Sequence, residues 1–480
     1  MTSTPILQHY IGGERVAAPP KFDSLNPSNT NDIVARVPDG DAAAVDAAVS
    51  AALKAFPSWS ESTGETRSDI LERISTLIFQ RKDELAKLLA REEGKTVPES
   101  TGEVLRAARI FRFFSGEALR RSGTTVESTR AGVDAATYRE AVGVFGLIAP
   151  WNFPIAIPAW KSAPALAFGN TVVLKPSELT PALASALADI VHEAGMPKGV
   201  FNVVFGSGAA GRALVEHPNV TGISFTGSQS TGARIAKTAA ARQARMQLEM
   251  GGKNALVVLD DADIERAVQC ALDGAFFATG QRCTASSRLI VTDGVHDQFV
   301  RRLSEKINAL RVGDALDPET QVGPLASEQQ IEKSRFYLNI AQQEGARQVA
   351  GGNEPKLSTP GYYFRPALLV DTQPDMRVNS EEIFGPVASV LRVANYDAAL
   401  AAANAGSFGL SAGIVTASLK YSRHFTHHVR AGMVMVNLPT AGVDYHVPFG
   451  GSRKSSYGPR EQGSAAIEFY TQIKTAYTWA

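Results

Sequence analysis

The sequence predicts an α/β protein built on parallel sheets, and two series of segments carry that expectation. From Tyr138 onward, short apolar runs at 142–149, 171–174, 200–205 and 222–225 alternate with helical segments at 182–194 and 209–216. Strands separated by helices need crossover connections, and crossovers join parallel neighbours. A second series begins with a strand at 255–259. It continues through a helix from Ile264, a strand at 288–292, a helix at 295–310 and a strand at 432–436. Before both series, residues 41–122 read as helices, with Asp41 as the first N-cap. At the other end, Ile467, Phe469, Thr471, Ile473, Thr475, Tyr477 and Trp479 alternate with mostly polar residues. That is the period of a half-buried strand, which needs a partner that a neighbouring subunit could supply.

Composition narrows the function. A chain of 480 residues has room for about three domains. Its 48 Lys and Arg balance 48 Asp and Glu, which argues against bulk electrostatic binding to nucleic acid or an anionic membrane. The two cysteines, Cys270 and Cys283, make neither a disulfide framework nor a four-thiolate zinc site. A reducing, cytoplasmic setting follows as an expectation. The first residues lack a basic stretch followed by an apolar one, so no secretion signal is expected. Residues 141–160 carry no charge, yet Pro150, Pro154, Pro158 and Asn152 would break a membrane helix. A buried strand running into an apolar loop is expected there.

Several short motifs have chemistry in reach. Gly206–Ser–Gly208–Ala–Ala–Gly211 follows a strand and opens a helix, the form of a phosphate cradle. The acid that should follow about twenty residues later is missing, so a plain tight turn is an equal reading. Phe225, Thr226, Gly227 and Ser228 form a second strand-to-helix junction, suited to a pyrophosphate or to ordinary capping. Lys175, Ser177 and Glu178 stand just beyond another strand, where ribose recognition competes with a solvated turn.

Cys283 lies in Gly280–Gln–Arg282–Cys–Thr–Ala285, and a neighbouring cation lowers a thiol pKa. Cys270 sits beside a helical apolar stripe and reads as packing. Glu249, before two glycines, is a possible general base or an exposed acid at a helix end. Asn152 is polar inside a proline-fixed apolar loop and must find a partner; an oxyanion is one. The eight histidines show no metal-ligand spacing and no partner for a cysteine dyad. No metal site is expected.

In order, PWNFP at 150, KPSE at 175, FTGS at 225, EMGGKN at 249, GQRC at 280, EIFGPV at 382 and PFGG at 448 resemble the NAD(P)-dependent aldehyde dehydrogenase superfamily across essentially the whole chain. The resemblance implies two Rossmann-type parallel-sheet domains plus a small β arm. A cofactor domain would comprise residues 1–121 and 142–253, and a catalytic domain residues 254–453. Residues 122–141 and 454–480 would supply an oligomerisation arm and the C-terminal strand, paired across a subunit interface in a homodimer or homotetramer.

The resemblance also implies roles. Cys283 would be the nucleophile, Glu249 the base, Asn152 the oxyanion donor, and Lys161 a lysine near the proton path. NAD or NADP would lie along Ile148, Ala149, Trp151, Lys175, Ser177, Glu178, Gly208, Phe225, Gly227 and Ser228, with Glu382 and Phe384 at the nicotinamide end. The GxGxxG match would then be incidental.

Residues 437–463 resemble the branch acting on α-ketoglutaric semialdehyde (2,5-dioxopentanoate). Ser456 replaces a usual glycine, and Pro459 precedes Arg460. A carboxylate-bearing aldehyde needs a cation, for which Arg106 and Arg282 are candidates, with Phe153 and Trp160 lining the approach. Succinic semialdehyde or an aromatic or aliphatic aldehyde is the alternative substrate. Transfer of the acyl group to coenzyme A, an inactive scaffold and a cofactor-free cysteine hydrolase are the rival functions.

Overall fold

The computed structural model describes residues 4–479. After four N-terminal strands, four helices, Ala42–Glu61, Gly64–Gln80, Lys82–Glu93 and Val97–Glu117, precede the parallel strands. Asp41 caps the first by accepting the Ala44 N–H. The fourth buries Val104, Ala107, Ala108, Ile110, Phe111 and Phe114, and with them the acids Glu103 and Glu117.

The first sheet has five parallel strands in the order Arg245–Met250, Gly222–Gly227, Val144–Ile148, Thr171–Lys175, Phe201–Val203. Every residue of Val144–Ile148 and Thr171–Lys175 is buried, as expected of strands covered on both faces. From Val144–Ile148 the chain builds outward to Phe201–Val203. It then returns to add Gly222–Gly227 on the opposite side. The strand order therefore reverses beside Val144–Ile148, and such a switch opens a crevice at the carboxyl ends of the strands.

The second sheet runs Arg347–Ala350, Ala367–Val370, Val387–Val393, Ser286–Thr292, Asn254–Val258, Ser411–Val415, Met433–Val436, with only its first strand antiparallel. Three residues separate Met250, ending a strand of the first sheet, from Asn254, starting one of the second. The carboxyl edge of the first sheet and the amino edge of the second are thereby joined.

Five expectations change. Residues 156–160 are not loop but the start of a buried helix, Ala156–Ala167. Pro158 is tolerated because a first-turn N–H has no intrahelical partner. Ile467 and Phe469 belong to a helical turn, Ile467–Tyr470, and the last strand is Thr471–Trp479. That strand pairs antiparallel with Val133–Ala141 of its own chain, from Thr471 opposite Ala141 to Trp479 opposite Val133. The expected pairing across a subunit interface is thus corrected, because Arg139, bonded to Thr471 and Glu468, fixes the arm to the strand locally. The strand is not half-buried, since Ile473, Tyr477 and Trp479 are 60%, 62% and 82% exposed. Finally, Ser456–Tyr457, placed with the arm from sequence, instead edges the first sheet opposite Glu249 and Leu248. Among the described residues no helix is long and apolar enough to cross a membrane.

Candidate active site

Cys283 lies three residues before the strand Ser286–Thr292, in a loop entered through a tight turn. Ala278 and Thr279 are left-handed there (φ 49° and 52°), a conformation costing L-residues about 1–2 kcal/mol each. Side chains from distant elements hold it. Glu99 accepts the Ala278 N–H at 2.6 Å, and Gln281 accepts the Ala326 N–H at 3.0 Å. Asn254 donates to the carbonyls of Cys283 and Ala285 at 2.8 and 2.9 Å. Next to it, Gly252 is required: a Cβ there would stand 2.8 Å from the Cys283 carbonyl oxygen.

Cys283 packs against Leu410, Met433 and Phe449. Burial pushes its thiol up to about 12, with Glu382 and Glu249 adding to the effect and the Cys283 and Thr284 backbone amides opposing it. The expectation that Arg282 lowers this pKa is therefore corrected. The Arg282 guanidinium turns away and donates to the carbonyls of Asp273 and Gly274, at the C-terminal end of the helix Ile264–Ala275 where a cation is favoured. Its assignment to a substrate carboxylate falls with that placement. Cys270 is buried in a separate core cluster.

Asn152 is buried in the loop after Val144–Ile148, and its Nδ2 donates to the Gln281 carbonyl at 2.9 Å. The two loops are thus tied side by side. Glu249 ends its strand buried, not exposed at a helix end. The Ser456 hydroxyl donates to its Oε2. Burial first and Glu461 second hold Glu249 well above the usual carboxylate range, against Ser456, Lys161 and Arg460. Lys161 is fully buried, donating to Ser224 at 2.8 Å and to Glu461.

Arg106 projects from the helix Val97–Glu117, with its guanidinium 5.7 Å from the Trp160 ring centroid and a 3.1 Å bond to Gln462 Oε1. Trp160 in turn lies 5.3 Å from Phe449, a member of the apolar cluster against which Cys283 packs. Arg106 Nε, Trp160 Nε1 and Gln462 Nε2 are all buried without a hydrogen-bond partner. Three unmatched donors at one place are costly unless an acceptor arrives. The Phe153 ring lies 3.8 Å from the Lys95 ammonium.

The cofactor candidates stand at the carboxyl edge of the first sheet. Ile148 and Ala149 are buried, and Ala149 donates to the Lys175 carbonyl at 3.1 Å. Lys175 is buried and reaches the exposed Glu178 at 3.4 Å, while Ser177 accepts the Leu179 N–H. Ser228 is the exposed N-cap of Gln229–Ala241; Phe225 is buried and Gly227 half-buried at the junction. Gly208 borders open space, where an added Cβ would meet nothing within 4 Å. The open glycine, the exposed capping hydroxyl and the exposed ribose-type carboxylate fit a dinucleotide. The GxGxxG turn is closed by Asp39, which accepts both the Ser207 N–H and hydroxyl. On the other wall, Glu382 accepts the Gly252 N–H at 3.0 Å, and Phe384 meets Trp151 edge to face at 5.4 Å.

Sequence reasoning missed Glu461, Lys95, Glu99 and Glu103. Glu99 and Glu103 stand one helical turn apart, in phase with an apolar stripe. That spacing was a readable sign of acids turned inward, Glu103 fully buried and Glu99 half-buried.

The model of the aldehyde dehydrogenase family matches residues 16–476. An alpha-ketoglutaric semialdehyde dehydrogenase of Bacillus subtilis is 42% identical over 94% of this chain and 93% of its own. A betaine aldehyde dehydrogenase of Rhizobium leguminosarum is 40% identical over 99% and 98%. The betaine aldehyde dehydrogenase of Staphylococcus aureus, solved in complex with NAD+, superimposes with a TM-score of 0.96 at 33% identity, covering 98% of this chain and 95% of that one. This chain belongs to the aldehyde dehydrogenase family and is an NAD(P)-dependent aldehyde oxidoreductase.

Proposed function

We propose that the enzyme oxidises a small aldehyde carrying a carboxylate, of the α-ketoglutaric semialdehyde type, to the corresponding acid. The observation that carries this reading is the trio of unpartnered buried donors on Arg106, Trp160 and Gln462. Donors alone, with a guanidinium at their centre, suit an anionic acceptor. They also oppose a quaternary ammonium, which disfavours betaine aldehyde.

In the proposed reaction, the Cys283 thiol gives up its proton to solvent as the sulfur adds to the aldehyde carbon, which generates an oxyanion. One Asn152 N–H is engaged by Gln281, which sets the plane of the amide. Its second N–H and the Cys283 backbone N–H receive the oxyanion. Lys175, Ser177, Glu178 and Ser228 would hold NAD(P)+, with Glu382 and Phe384 at the other end, and the bound dinucleotide would supply a hydride acceptor. The thioester left on Cys283 is cleaved by water. Glu249 takes one proton from that water, the product leaves as a carboxylate, and the thiol is restored. Glu461 and Lys161, buried beside Glu249, offer the proton a way onward. The presence of Glu249 supports water over coenzyme A as acyl acceptor. The Lys175–Glu178 pair offers one charge of each sign, which supports use of NAD or NADP.

A panel of aldehydes assayed with each cofactor tests the substrate reading. Arg106→Ala is expected to lower kcat/KM for an acidic semialdehyde about 10- to 100-fold, the worth of a charged hydrogen bond, while sparing a neutral aldehyde of equal length. Equal losses on both would contradict it.

Two free cysteines support a reducing, cytoplasmic setting. The exposed row Ile473, Tyr477 and Trp479 on one face of the last strand supports a homodimer or homotetramer built through the three-stranded arm. Light scattering should give two or four times 51.1 kDa; a stable monomer at micromolar concentration would contradict it.

A further inference from the structure

Lys95 takes no part in the reaction just described, yet it is among the most constrained charges in the molecule. It is 3% exposed. Its ammonium donates to Glu103 Oε2 at 2.8 Å and to the backbone carbonyl of Asn152, and it lies 3.8 Å from the Phe153 ring centroid. Glu103 does not merely neutralise it. The other oxygen, Oε1, accepts the N–H groups of Ile155 and Ala156 at 3.1 and 3.2 Å. One ion pair therefore grips the loop at Asn152, Phe153, Ile155 and Ala156. A turn earlier on the same helix, Glu99 holds Ala278 in the strained turn before Cys283. The two walls of the oxyanion site thus hang from one short segment, 95–103. Burial opposes the Lys95 charge, but Glu103 and Glu93 outweigh it and hold its pKa above the usual lysine value.

We propose that Lys95 is a positioning residue for the oxyanion site: by clamping the Asn152 carbonyl against Glu103, it sets the direction of the Asn152 side-chain amide. An amide donor contributes to an oxyanion only within a narrow distance range, about 2.7–3.1 Å. A displaced loop would keep its fold and lose its catalysis. The inference rests on Asn152 being the oxyanion donor, and a double-mutant cycle separates the two.

Four full-length proteins are compared: wild type, Lys95→Met, Asn152→Ala and the double variant, with kcat and KM measured on the best aldehyde. Asn152→Ala alone should cost about 100- to 1000-fold in kcat. Lys95→Met should cost on the order of 100-fold, as for a roughly 1 Å misplacement, with KM changed less than about threefold. In the Asn152→Ala background it should cost almost nothing, since the group it aims is gone. A purely structural lysine would give losses that multiply, and that outcome overturns the inference. An Asn152→Ala enzyme near wild-type rate would overturn the oxyanion reading itself. Should Lys95→Met fail to fold, the cycle is run with Lys95→Arg, which keeps the charge but displaces the donor. Unchanged kcat or multiplying losses there count against the inference equally.

Discussion

Replacing Cys283 with alanine is expected to lower aldehyde turnover on the order of 10⁴-fold or more, the scale seen when a covalent nucleophile is removed. No other residue can stand in. Cys270 is walled into a different core, on the helix Ile264–Ala275, and the hydroxyl of Thr284 is far less nucleophilic near neutral pH than a thiol. Folding should survive, because the sulfur packs at the edge of the small apolar cluster of Leu410, Met433 and Phe449 and a single small deletion costs about 1 kcal/mol. Reduced-nicotinamide absorbance measures the loss, and circular dichroism checks the fold. A Cys283→Ala enzyme keeping a tenth of its activity would leave the thioester route without a nucleophile.

The second large effect concerns Glu249. Glu249→Gln should slow steady turnover by about 100- to 10,000-fold, the usual worth of a general base. It should nevertheless release reduced nicotinamide in a burst of about one equivalent per active site, because acylation of Cys283 does not need the carboxylate. A uniformly slow trace without a burst would move Glu249 to an earlier step.

Stability should respond to pH as well. Burial and Glu461 raise the Glu249 pKa, so the native state holds a proton that the unfolded chain releases. Stability then falls as pH rises above the unfolded carboxylate value. Glutamine removes that dependence, so the variant's melting temperature should gain on wild type from pH 5 upward.

These two residues and Asn152 were legible because each conflicts with its neighbours: a thiol among polar residues, an acid before two glycines, an amide between prolines. The parallel strands were legible because a strand covered on both faces is a plain apolar run, as at Thr171–Lys175. Other parts depend on contacts that sequence spacing does not reveal. Glu461 becomes part of the site only when a chain reversal brings it to Lys161, 300 residues away. Lys95 looks like an ordinary surface charge just ahead of a helix until the loop at Asn152 closes over it. Arg282 misleads for a related reason, since adjacency in sequence puts a cation beside Cys283 while the side chain ends on the carbonyls of Asp273 and Gly274. The short strands His9–Ile11 and Glu14–Val16 were missed because they are short and only the first is buried throughout. The C-terminal strand was found from Thr471 on, but its start, its burial and its partner were misread, because alternation of residue types does not say which surface or which chain lies alongside.

The central claim is that the aldehyde becomes a thioester on Cys283. Mass spectrometry of Glu249→Gln, quenched in acid after the burst, tests it most directly. The peptide carrying Cys283 should bear one acyl group at the oxidation level of the acid, while the Cys270 peptide stays unmodified. An unmodified Cys283 peptide after a full burst of reduced nicotinamide would contradict covalent catalysis at this sulfur.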